Sequence, residues 1–226
     1  NSVTLVGRFN LDVLILVHLL LIFLVAWKRT SWSLFLASAF VLYDTWQFLP
    51  TTSNSILFGF LLNLSFVIAY ISEAIRARKF IITADAYFDS FAAAGRLLLL
   101  TMYFFGVFQK INTGFLDPNL SYAVVLLDYF PFFPKAIVAT DFLRYSAIYA
   151  TFVIETAIFF ALIIPRFRYY GIVFGLCFHM FLSLNEYHSY VTFTCLSFAM
   201  HFLFLSSDSI ENFKKRWAGK VFFEDK

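Results

Sequence analysis

Residues 95–110 read GRLLLLTMYFFGVFQK. Arg96 and Lys110 bracket thirteen residues that carry no charge. Fourteen helical steps rise about 21 Å, close to four turns, which stacks Arg96, Tyr103 and Lys110 on one helix face. An ionisable side chain on a membrane-spanning helix is costly and faces the protein interior or a water-filled cavity. Taken singly, an Arg paired for folding and a Lys reaching the interface along its own stem are ordinary. Both on one face, followed by the polar turn QKINTGFLDPN at 109–119, point to a site.

The composition agrees with a membrane helix at 95–110. Of 226 residues, 61% are hydrophobic, 22% aromatic and only 14% charged, and the mean hydropathy is +0.79. A soluble domain of this size carries about a quarter charged residues. The expected fold is therefore all-α: a polytopic transmembrane helical bundle in the lipid bilayer. The net charge of +3 sits in loops and gives no reason to expect nucleic acid. Cys177 and Cys195 lie within apolar segments without metal-ligand or disulfide spacing, so no metal site is expected. The chain opens on Asn1 without a cleavable signal. One transmembrane domain over 1–226 is expected, with further residues before Asn1.

Seven apolar segments are visible, at 11–27, 31–48, 56–75, 91–111, 145–164, 169–184 and 187–205. Four basic clusters follow alternate segments: Lys28 with Arg29; Arg76, Arg78 and Lys79; Arg166 with Arg168; Lys214, Lys215 and Arg216. The loops PTTSN at 50–54 and NEYHS at 185–189 have no Lys or Arg. Basic loops face the cytoplasm, which puts Lys110 at the outer end of its helix, in a protein of the bacterial inner membrane. Residues 112–144 contain Pro118, Pro131, Pro134 and the run YFPFF. Irregular chain at membrane depth must be buried in protein or line a cavity. The segment reads as an outer capping loop: an amphipathic helix at 121–129, then an extended Pro-rich piece.

Other polar residues interrupt the apolar segments. Glu155 sits in the middle of TFVIETAIFF (151–160) and must be neutral or paired with a cation on another helix, Arg96 or His179 being the available partners. His179 lies in CFHMF, where a satisfied core histidine is the commoner reading; His201 falls near the cytoplasmic end of the seventh segment. Asp44, with Trp46 and Gln47, ends the second segment at the depth of Lys110 and is a candidate counter-ion to it. Asn54 and Ser55 open the third and read as its N-cap. No phosphate loop, nucleophile elbow or two-metal carboxylate cluster is present in the sequence.

The pattern Arg-x13-Lys ending in YFFGVFQKINTGFLDPN, with TFVIETAIFF and FGLCFHMFLSLNEYHSYVTFTCLSFAMHFLF downstream, resembles the membrane domain of vitamin K-dependent gamma-carboxylase and its bacterial relatives, the HTTM family. The resemblance runs over about 53–207, in the order and spacing of these motifs. It implies that Lys110 is a catalytic base acting on a reduced quinone, with Arg96 and His179 in the same helical core. The family's carboxylases have Asn-Asn-His-Ser where this chain reads Thr52-Ser53-Asn54-Ser55. The histidine that helps hold the quinone oxygen is thus Asn54 here. The family's large extracytoplasmic substrate-binding domain has no counterpart in these residues. The expectation is a quinone-like ligand in an outer-facing pocket bounded by Lys110, Tyr103 and Asn54, with Arg96, Asp44, Glu155 and His179 in support, and without carboxylation. The alternative is a non-catalytic subunit that anchors or assembles membrane or extracytoplasmic protein partners.

Overall fold

The computed structural model describes residues 2–28, 30–46, 49, 53–186 and 190–205. Among these the regular structure is entirely helical, with no strand. In chain order the α-helices are α1 (Ser2–Lys28), α2 (Ser31–Trp46), α3 (Asn54–Ala77), α4 (Ala84–Phe108), α5 (Thr113–Leu116), α6 (Tyr122–Asp128), α7 (Lys135–Val138), α8 (Asp141–Ile163), α9 (Arg168–Leu182) and α10 (Val191–Phe202). Three stretches, Asn54–Ala77, Asp85–Phe108 and Asp141–Ile163, are long and apolar enough to cross a membrane. At 1.5 Å per residue, 23 or 24 residues rise about 35 Å, against about 30 Å of hydrocarbon. Gln47, most of the loop at 50–54, His188 and the basic cluster at 214–216 lie outside the described residues.

The chain divides into two compact units, Asn1–Leu98 and Leu99–Lys226. In the first, α2 packs against α1 and α3. Its buried centre is aromatic: Phe35 stacks on Tyr70 at 4.5 Å and Phe66 meets Phe91 edge-on at 4.5 Å. Each buried tyrosine hydroxyl finds a backbone acceptor, Tyr70 donating to Phe80 O at 2.6 Å and Tyr87 to Phe66 O at 3.2 Å. A buried hydroxyl without a partner would cost about 1–3 kcal/mol. α3 ends on Arg78 in the left-handed region, φ 49°, whose N–H returns to Ala74 O and Ile75 O. That cap satisfies carbonyls the helix leaves open.

In the second unit α8 packs along α9, and α9 along α10. α8 stops where Ile164 precedes Pro165, because the proline ring disfavours helical backbone in the residue before it. One 3-10 turn, Pro165–Phe167, then reverses the chain into α9. A Cβ on Gly171 would meet Leu162 N at 2.9 Å and Ala161 C at 3.1 Å, so only glycine lets α9 approach the end of α8 this closely.

Two elements differ from the sequence reading. α4 stops at Phe108, short of Lys110. The next amides pair three residues back, Lys110 N to Val107 O at 3.0 Å and Ile111 N to Phe108 O at 3.1 Å. This is the tightened end that helices adopt when carbonyls run out of partners. The Pro-rich piece is not wholly extended. Pro134, at φ −61°, is the N-cap of the one-turn α7, a position where the missing N–H costs nothing. α6 falls inside the helix read at 121–129.

Candidate functional site

Lys110 Nζ bonds Glu155 Oε2 at 2.5 Å and the carbonyl of Gly106 at 2.8 Å. The ammonium therefore turns back over the end of α4, where a cation complements the open carbonyls. The two side chains are 18% and 13% exposed, so water screens the pair little. Gly106 lies against the pair: a Cβ there would stand 3.5 Å from Glu155 Oε2, an ordinary contact distance. The Phe115 ring centroid lies 5.8 Å from Lys110 Nζ. Glu155 is thus paired by Lys110, 45 residues away in the chain. Asp44, a candidate counter-ion to Lys110 in the sequence, stands 3.8 Å from His18 in the first unit.

The segment that follows is fixed at several points. Asn112 caps α5, accepting from Phe115 N at 2.8 Å while its amide donates to Gln109 O at 2.6 Å. That places Phe115 beside Lys110. Arg144 donates to Pro118 O at 2.8 Å. Asn185 donates to Leu126 O at 2.6 Å, and Glu186 N donates to Tyr129 O at 3.0 Å. Phe130 stacks on Phe181 at 4.4 Å. Residues 112–144 are therefore bound to α8 and to the turn after α9, with Ala123, Val124 and Ile148 at the buried centre of that contact.

Tyr103, two helical turns before Lys110, sits in a second polar cluster. Its hydroxyl lies 2.9 Å from His179 Nε2 and 3.2 Å from His201 Nε2. His201 Nδ1 lies 2.7 Å from Ser197 O, and His179 Nδ1 has no partner. All three side chains are buried. Gly175 of α9 faces the His201 ring so closely that any Cβ there would overlap it.

Of the residues singled out in the sequence, Lys110, Tyr103, Glu155 and His179 fall in the second unit. Asp44, Asn54 and Arg96 fall in the first. Arg96 is half-buried on α4, and Asn54 is exposed as the first residue of α3. The N-cap of α3 is Ser53, one residue before the position read from the sequence, and its hydroxyl meets that of Ser55 at 2.8 Å. His201 was placed at the end of a span with no role. Its signal in the sequence is slight: a histidine in an apolar helix, four residues after a serine. Among the described residues no group of three or more His, Cys, Asp or Glu could hold a metal ion. No protein-family model, curated protein or solved structure matches this chain.

Proposed function

We propose that this protein is a seven-span bundle of the bacterial inner membrane that binds a quinone-like ring at Lys110, with the basic loops in the cytoplasm and residues 112–144 outside. The observation that carries the ligand reading is the Lys110–Glu155 pair with the Phe115 ring 5.8 Å from Lys110 Nζ. An ammonium offers hydrogen-bond donors to a ring carbonyl, the carboxylate accepts from a ring hydroxyl, and the phenyl face stacks on the ring. One site thereby suits both the oxidised and the reduced form of such a ligand. The resemblance to the HTTM family supports the same class of ligand. Asn54, standing where the family's carboxylases have histidine, speaks against carboxylation. Asp44, Asn54 and Arg96 take no part in this proposal.

Titration of the purified protein with a short-chain naphthoquinone should show saturable binding that Lys110→Ala abolishes or weakens at least tenfold, about 1.4 kcal/mol. Equal binding by both proteins, or none by either, sinks the reading. It would return the pair to a structural role, in a subunit that anchors or assembles membrane partners.

The orientation rests on the alternation of the four basic clusters. With Cys177 and Cys195 replaced by serine, cysteine at Ser53 or Asn119 should react with a membrane-impermeant thiol reagent in intact cells, and cysteine at Ser72 should not. The reverse pattern inverts the topology.

A further inference from the structure

We propose that Tyr103, His179 and His201 form a proton relay across α9, α4 and α10, with the buried, unpartnered Nδ1 of His179 as the end that takes up the proton and His201 as the place where the proton is kept. The relay needs no quinone and stands apart from the reading of Lys110.

The hydrogen positions follow from the partners. Ser197 O can only accept, so His201 Nδ1 carries a proton. In the neutral ring Nε2 is then bare, and it accepts from the Tyr103 hydroxyl. That hydroxyl has one proton, so toward His179 it accepts, and His179 Nε2 carries the proton. His179 Nδ1 is left as a bare lone pair, sealed from solvent and without a partner. The two histidines are therefore opposite tautomers, and one atom of the chain is open.

A proton brought to His179 Nδ1 by a water that a local opening of the helices admits makes that ring an imidazolium. Its Nε2 proton passes to the Tyr103 oxygen as the Tyr103 proton passes to His201 Nε2. His179 is again neutral, now protonated on Nδ1, Tyr103 is again a neutral phenol, and His201 is the imidazolium. One proton has entered and one charge has moved from α9 to α10, with no bond other than N–H and O–H made or broken. His201 lies in the last turn of α10, the end of a helix that favours a cation, and Ser197 O holds its other N–H. Among the described residues, the charged groups on the helices around the path include the Lys110–Glu155 pair, which joins α4 to α8, and Arg168, whose guanidinium lies 5.9 Å from the ring of Phe204, three residues after His201. Gly175 keeps the His201 ring within reach of Tyr103.

The test is 15N NMR of histidine-labelled protein in lipid bilayers, with each signal assigned by a single His→Gln variant. At neutral pH, His201 should be protonated on Nδ1 alone and His179 on Nε2 alone. After a drop in pH an imidazolium should appear at His201. In His179→Gln, which keeps a hydrogen bond to Tyr103 but cannot pass a proton, that step should slow by about 100-fold, the usual worth of a positioned transfer group. The tautomers are read on the unaltered protein, so a variant that fails to fold does not remove the test. The same tautomer on both rings overturns the relay, as does a wild-type rate in His179→Gln. Two imidazole nitrogens and a phenol oxygen are also a donor set for a divalent cation. Stoichiometric zinc or copper in the purified protein, lost in Tyr103→Phe, overturns it too.

Discussion

Lys110→Met should be among the most damaging single changes in the second unit, costing about 3 kcal/mol, while Lys110→Met combined with Glu155→Leu should recover most of that loss. Removing the ammonium leaves the Glu155 carboxylate 13% exposed with its bonded cation gone. Breaking one side of a buried pair costs about 3–5 kcal/mol, whereas replacing both partners with apolar groups is often neutral. Thermal unfolding in detergent reads the difference. The single variant should fall by roughly 6–12 °C, at about 2–4 °C per kcal/mol for a chain of this length. Glu155→Gln should fall less than Glu155→Leu, because the amide still accepts from Lys110. A double variant as unstable as the sum of its singles would show that the two residues do not act as a pair.

Gly175→Ala should be far more disruptive than Gly106→Ala or Gly59→Ala. Its methyl group lands on the His201 ring, which is fully buried and has nowhere to go. Overpacking costs about 1–3 kcal/mol, and displacing His201 from Tyr103 and Ser197 adds about 1–3 kcal/mol for groups left unpaired. Gly106→Ala places its methyl at ordinary contact distance from Glu155. Gly59→Ala meets nothing within 4 Å and gains helix propensity. The three variants should therefore unfold in the order Gly175→Ala, Gly106→Ala, Gly59→Ala as temperature rises. In a His201→Ala background, where the ring is gone, Gly175→Ala should cost little. An undiminished cost there would place the clash elsewhere.

Much of this was legible in the sequence, and the limits have physical causes. Long apolar runs must be helices in lipid, because no other open backbone satisfies its own N–H and C=O groups there. Lys110 and Glu155 stood out because a charge inside an apolar run has to be explained. Their mutual pairing was not legible. The partner of a buried charge is chosen by which helices pack, and a single sequence gives no measure of that. Arg96 and Asp44 were equally plausible on charge alone. The end of α4 was misjudged because Gln109 and Lys110 continue the helical pattern of letters, while the backbone has already tightened to satisfy its last carbonyls. Pro134 was read as part of an extended piece, yet as the N-cap of α7 it starts a turn. His201 escaped because its partners lie on two other helices. The closest sequence hint was Gly175, whose meaning depends on what packs against it.

The bonds that tie residues 112–144 to the turn after α9 also set an order of assembly. Asn185 reaches back 59 residues to the carbonyl of Leu126, and Phe130 stacks on Phe181. Neither contact can exist until α9 has left the ribosome. While α8 and α9 are being synthesised and inserted, Phe130, Phe132 and Phe133 have no aromatic partner from α9. Closure over so long a stretch of chain is entropically slow. The cap thus reaches its final place only after α9 has been made, and a nascent chain halted after α8 would present its phenylalanines to the membrane surface or to a chaperone.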